Sequence, residues 1–126
     1  MDINKYWHAI VKQDAALIKP FFVPAARIRW HNTGEQFTVD EFIKINCEYP
    51  DKWAGSIERI ETLGSLIITA VHVFATNKPL SFHVTSFIQL QNDKIISVDE
   101  YWGEDGEIPQ WRRDKKIGSM IKPEIK

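Results

Sequence analysis

Apolar residues recur at helical spacing from Ile3 to Phe22: Ile3, Tyr6, Trp7, Ile10 and Val11, then Leu17, Ile18, Phe21 and Phe22. Lys12, Gln13 and Asp14 interrupt the stripe, so the pattern predicts one helix and then a short second one. Asp14 is placed to cap the second helix, because its carboxylate can accept from the unpaired N–H groups of the first turn. Pro20 disturbs the end of that helix. Within the stretch 24–32, Arg27-Ile28-Arg29-Trp30-His31 alternates polar and apolar and reads as a strand. Thr38, with Glu41 three residues on, forms a capping box. It opens a helix through Phe42, Ile43 and Ile45 that must stop before Tyr49-Pro50.

The second half changes character. Segments 56–63, 66–75, 80–90 and 95–102 are rich in β-branched and aromatic residues. The separators Gly64-Ser65, Asn77-Lys78-Pro79 and Asn92-Asp93 suit hairpins and leave no room for crossover helices, so these strands form an antiparallel meander. Helices, a strand, a helix and a meander define an α+β domain with its helices on one sheet face. That domain is expected over residues 1–108. The chain turns polar and irregular after Gly103, and 109–126 reads as a C-terminal extension.

A chain of 126 residues has room for one domain and a real core. Its formal charge of −1 gives no electrostatic reason to expect nucleic acid or an anionic membrane surface. One cysteine, Cys47, excludes an intrachain disulfide and any cysteine-rich zinc module. Cys47 lies at a helix end beside Glu48, a poor place for a reactive thiol. The start carries no apolar run, so no secretory signal is expected and the location expected is cytoplasmic. The chain contains no phosphate loop or nucleotide fingerprint, and no cofactor is expected. Five Trp, three Tyr and seven Phe are compatible with a pocket lined by rings as well as with a packed core.

The ordered set of segments resembles the SnoaL-like branch of the nuclear transport factor 2-like superfamily. The resemblance covers about residues 3–102. Its pieces are Trp7 and Asp14-Ala15-Ala16-Leu17 in the opening helices, Phe22 to Ile28, Trp30-His31-Asn32-Thr33 and the helix from Thr38 to Ile45. The most telling piece closes the domain: Asp93-Lys94-Ile95-Ile96-Ser97-Val98-Asp99-Glu100-Tyr101-Trp102. This resemblance implies a strongly curved mixed or antiparallel sheet wrapped around helices as a cone with an apolar pocket. It also implies a homodimer through the outer sheet face. It does not imply one chemistry, since such proteins include polyketide cyclases, ketosteroid isomerases, dehydratases, an epoxide hydrolase and non-enzymatic binders.

Strand alternation then selects the pocket side chains. A turn at Asn77-Lys78, or a longer even-numbered loop, pairs Val73 with Phe82, Val71 with Val84, Thr69 with Ser86 and His72 with His83. Phe82, Val84, Ile88 and Leu90 are the more apolar face, which places Thr69, Val71, Val73 and Ser86 inside. The same alternation groups Ile96, Val98, Glu100 and Trp102 on the closing strand, and Ile28, Trp30 and Asn32 on the first. Trp30, Asn32, Trp53, Val71, Val73, Phe82, Val84, Ser86 and Trp102 are therefore the expected ligand-binding residues. The loop from Tyr49 to Trp53 is expected as a lid over the mouth.

Glu100, an acid between Val98 and Trp102 on the buried face, is the candidate catalytic residue, because burial raises a carboxyl pKa toward neutrality. The bland alternative is a bond to the Trp30 or Trp102 indole, to Asn32 or to Arg59, or simply a place at the rim. In resembling enzymes an acid at this point takes part in proton transfer, and Tyr6 is the candidate for an accompanying tyrosine. Val71 and Val73 stand where the resembling epoxide hydrolase has a charged pair, and Ile28 and Trp30 where it has Tyr and Asn, so its water-activating set is absent. His72 and His83 lack a third ligand with suitable spacing. No metal is expected, and the pair is assigned to the dimer interface. The leading expectation is a binder of a small, largely apolar organic molecule. An isomerase, dehydratase or cyclase using Glu100 as proton shuttle, and an interaction module working through its outer sheet face, are the alternatives. A cavity of a few hundred cubic ångströms favours the first two, and a ring-filled cone the last.

Overall fold

The structure, a computed structural model, describes residues 1–121. Helix α1 (Ile3–Lys12) and the short α2 (Ala15–Ile18) lead through a 3-10 turn, Lys19–Phe21, into strand β1 (Phe22–Trp30). Then come β2 (Glu35–Phe37), α3 (Val39–Glu48), β3 (Trp53–Leu63), β4 (Leu66–Ala75), β5 (Ser81–Gln91), β6 (Lys94–Glu104) and α4 (Gln110–Lys115). The caps follow the sequence pattern. The Asp14 carboxylate accepts from Leu17 N–H, and Thr38 and Glu41 form the reciprocal capping box.

The six strands form one open mixed sheet in the order β2-β1-β6-β5-β4-β3. Strands β3 to β6 are the expected antiparallel meander. Strand β1, however, pairs parallel with β6, which the hairpin argument did not reach because it concerned only sequence neighbours. A short β2 was also missing from the sequence reading. The turn after Trp30 folds it back on β1, with Gly34 at φ +69°, and pairs Ile28 with Phe37 and Trp30 with Glu35. Strand β1 starts earlier than expected, at Phe22, yet it contains Pro24. The parallel ladder steps from Phe22 to Arg27, so Pro24 owes it no N–H.

The β4–β5 register matches the expectation in every pair, because the loop is longer than two residues but even-numbered, Ala75 N–H donating to Leu80 C=O. The closing strand needs a correction. Gln89 pairs with Ser97 but Leu90 with Ile95, so Ile96 is an extra residue. Ile95 is therefore fully buried in the place expected for Ile96, while Val98 and Glu100 keep the inward face. A second irregularity between Ile57 and Arg59 on β3, at Glu58, adds a further bend.

The helices cover one face of this sheet, α1 against β3 and α3 against β1. Between them lies a core of Tyr6, Trp7, Ile10, Ile18, Ile28, Phe42, Val71, Val84, Ile88, Ile95 and Val98. The Trp7 indole N–H donates to Thr69 Oγ1 at 3.1 Å, which satisfies both polar groups where α1 crosses β4. At the far end of α1, Gln13 Nε2 donates to the carbonyls of Asn46 and Tyr49, and Asn46 Nδ2 donates to Ile10 C=O. These bonds lock the ends of α1 and α3 together and position the loop that follows Tyr49. The region after β6 is not wholly irregular, since α4 occupies part of the expected extension with its residues exposed. Residues 122–126 of that extension lie outside the described residues. Among the described residues no helix is long and apolar enough to cross a membrane.

Gly55 marks the closest approach of α1 to the sheet, because a Cβ there would lie 2.9 Å from Val11 Cγ1. Val11 is β-branched and has little rotamer freedom on a helix. Gly55→Ala is expected to lower stability in urea unfolding by about 1–3 kcal/mol. Combined with Val11→Ala it should cost less than the two single changes added together. Strict additivity would contradict a direct clash.

Candidate functional site

The cone encloses a cavity of about 240 Å³. Its wall is a chain of rings in mutual contact: Tyr49 with Trp53, Trp53 with Phe82, Phe82 with Trp102, Trp102 with Trp30, and Trp30 with Phe42. Most of these meet edge to face, at centroid distances of 5.8–6.5 Å, so ring faces are left free to point elsewhere. The residues come from α3, the loop after it, and strands β1, β3, β5 and β6. Among the described residues two charged ones line the cavity, Glu35 and Glu100.

Glu100 sits near the middle of β6, flanked by Trp30 on the parallel side and Ser86 on the antiparallel side. It is only 2 % exposed. The Trp30 indole donates to Oε1 at 3.0 Å and the Trp102 indole to the same oxygen at 3.3 Å, while Ser86 Oγ donates to Oε2 at 2.7 Å. Burial pushes the carboxyl pKa up, the bonds from Ser86, Trp102 and Trp30 pull it down, and burial prevails. The donors are those named in the bland reading for the two indoles, with Ser86 in place of Asn32 or Arg59.

The other expected residues divide. Trp30, Asn32, Trp53, Val73, Phe82 and Trp102 line the cavity with Glu100. Asn32 stands at its exposed end and clamps the Trp102 backbone, donating to its C=O and accepting from its N–H. The Trp53 indole is spent on Pro50 C=O at 2.9 Å, which ties the ring to the loop that precedes β3. Val71, Val84 and Ser86 are on the inward face as expected but lie in the packed core, outside the cavity wall; Ser86 reaches the site only through Glu100. Tyr6 is likewise core. Its ring meets Trp7, Phe21 and Phe22, its hydroxyl has no hydrogen-bond partner among the described residues, and burial followed by the charge of Glu100 holds its pKa well above the ordinary value. Phe42, Asn46 and Glu35, which also line the cavity, were missed as site residues. Phe42 was read only as part of a helical stripe, and Glu35 lies on the strand that was not foreseen.

His72 and His83 stack on the outer face at 4.7 Å. The structure adds the neighbours that spacing did not reveal. Asp105 contacts both imidazoles, and the Glu58 carboxylate reaches His83 Nε2 at 3.4 Å. Among the described residues, Glu58, His72 and His83 bring ligand-type atoms within 4.8 Å of one another. These contacts already pair the imidazoles with carboxylates, and the hydrogen bond that His83 Nδ1 donates to Asp105 raises the His83 pKa against the opposing effect of burial. Cys47 is half-buried and donates to Gln13 C=O; burial raises its pKa, consistent with an unreactive thiol.

No family model and no curated protein matches the chain by sequence. Its fold does match solved structures. A ketosteroid isomerase candidate from Kribbella flavida superposes with a TM-score of 0.78 at 18% identity, covering 97% of this chain and 88% of that one. An NTF2-like protein of unknown function from Burkholderia xenovorans gives 0.75 at 20% identity, covering 95% and 92%. A protein of ketosteroid isomerase-like fold from Catenulispora acidiphila, solved in complex with trimethylamine, gives 0.68 at 10% identity, covering 79% and 82%. The chain therefore has the nuclear transport factor 2-like fold, the α+β cone that the resemblance of its ordered segments implies.

Glu100 holds its proton more tightly in the folded chain than in the unfolded one. Its contribution to stability is thus full below the ordinary glutamate pKa and is lost as pH rises through the raised value. Glu100→Gln escapes that loss, and its amide can still accept from both indoles and donate to Ser86. The variant should gain stability relative to the native chain as the pH of urea unfolding is raised from 4 to 8. A difference that does not change with pH would contradict the raised pKa.

Proposed function

We propose that the protein is a SnoaL-like binder of a small, largely apolar organic molecule, which it holds in the cone with Glu100 as the polar anchor. The observation that carries this reading is a cavity of about 240 Å³ left open inside a wall of rings, with one buried carboxylate among them. A cone serving only as an interaction module has no use for that space, and its rings would fill it. The trimethylamine complex of the Catenulispora protein supports the view that this fold accommodates a small organic molecule.

Proton transfer by Glu100, as in an isomerase, dehydratase or cyclase, is the second reading, favoured by burial that raises its pKa. Tyr6 contributes no polarising group in that reading, because its hydroxyl lies outside the cavity wall. The proposal includes a cytoplasmic location and a homodimer through the outer face of β4 to β6, where Phe87 and Tyr101 are exposed beside His72 and His83.

The five indole N–H signals provide the test. Titration with small cyclic ketones, alcohols and amines should shift the resonances of Trp30, Trp53 and Trp102 saturably. Those of Trp7, bonded to Thr69, and Trp111, exposed on α4, should stay in place. A panel in which no compound produces saturable shifts at the three wall tryptophans would overturn the binding reading.

A further inference from the structure

Resting on the binding reading above, we infer that the cavity selects a cationic ligand, an organic ammonium with an apolar body, over neutral molecules of the same shape. The argument begins with the groups around Glu100. Indole N–H groups donate and cannot accept, so two of its three partners can only be matched by an oxygen lone pair. Ser86 supplies the third donor. The ionised carboxylate takes all three bonds and keeps acceptor capacity on Oε2. The neutral acid also takes both indole bonds on Oε1 and donates to Ser86 Oγ, so the shell suits either form, but only the ionised form leaves Oε2 an acceptor for a cation.

Burial works against the charged form, the three donors offset it only in part, and among the described residues no counter-cation in the cavity wall completes the compensation. Among the described residues no lysine, arginine or histidine lines the cavity; its second charged residue, Glu35, is another acid at the exposed end. Arg29 and His31 lie near in sequence but pair with Asp99 on the other face of β6. Tyr6, the titratable group close enough to feel the charge of Glu100, stays neutral in the core. A dry carboxylate with three donors and no counter-cation is completed by a cation from outside.

The wall fits the same occupant. Trp30, Phe42, Tyr49, Trp53, Phe82 and Trp102 surround the space. The face of each ring carries the negative end of a quadrupole, which attracts an alkylammonium and gives nothing comparable to a neutral tert-alkyl group. Methyl groups on the nitrogen would contact the rings, while the charge would lie in the unscreened field of Glu100. Gln13, Asn32 and Asn46 add neutral polar atoms to the lining without adding positive charge.

Choline and its uncharged isostere 3,3-dimethylbutan-1-ol separate charge from shape, and both dissolve well enough for calorimetric titration against the full chain. The expected result is choline binding at least tenfold tighter than the alcohol at pH 7.5. Glu100→Gln should erase that preference, weakening choline at least tenfold more than it weakens the alcohol. Should that variant fail to fold, pH serves instead. Choline has no titrating amine, so its affinity in the native chain should fall as Glu100 is protonated, while that of the alcohol stays level. Glu35→Gln should weaken choline by no more than about threefold, since that acid is solvated.

Equal or tighter binding of the alcohol would overturn the inference and leave the binding reading intact. Failure of both compounds, with indole shifts still produced by neutral cyclic molecules, would overturn it in the same way. Failure of every compound in both experiments would overturn the inference and the binding reading together.

Discussion

The burial of Glu100 is the constraint around which this fold is arranged. Its three donors come from three places in the chain, Trp30 on β1, Ser86 on β5 and Trp102 on its own strand. They meet only if the parallel β1–β6 register and the antiparallel β5–β6 register are both correct. A slip of one residue in either would turn a donor to the opposite face and leave a carboxylate buried without compensation, which costs several kcal/mol. The polar centre therefore enforces the sheet pairing that builds the cavity, and the apolar core on the same face supplies the driving force.

The helices turn that sheet into a container. Trp7 bonded to Thr69, and Gly55 against Val11, hold α1 onto β4 and β3. Gln13 and Asn46 tie the end of α1 to the end of α3. The chain then leaves α3 at Tyr49 and returns at Trp53, adding two rings to the cavity wall. Because the wall rings meet mainly edge to face, they brace one another without filling the space between them. The result is a fixed, mostly apolar chamber with a carboxyl group inside, an arrangement whose stability falls as that group ionises and rises when a partner neutralises it.

Much of this is legible in the sequence, and the exceptions have physical causes. The β4–β5 register follows from alternation plus an even loop, which is why Val73 with Phe82, Thr69 with Ser86 and His72 with His83 are readable in advance. Glu100 is legible for a related reason: an acid two residues from Val98 and from Trp102 must share their face. Alternation fails at the extra residues, so Ile95 takes the place expected for Ile96, and Glu58 arrives unannounced beside His83. The parallel β1–β6 pairing joins segments about seventy residues apart, as the Trp30–Glu100 bond shows, and no local signal encodes it. Burial depth is equally non-local. Val71, Val84 and Ser86 share a face with Val73 and Phe82, but their distance from the mouth depends on where the helices cross.

The account depends most directly on the protonation of Glu100, and carboxyl-carbon NMR titration measures it, with Glu100→Gln removing the signal to confirm its assignment. The account predicts a midpoint clearly above the value of about 4.3 found for an unperturbed glutamate, and a downward move when choline occupies the cavity. A midpoint at or below the unperturbed value would mean that the three donors outweigh burial. The carboxylate would then need no further cation, and the chamber would lose its reason to select one.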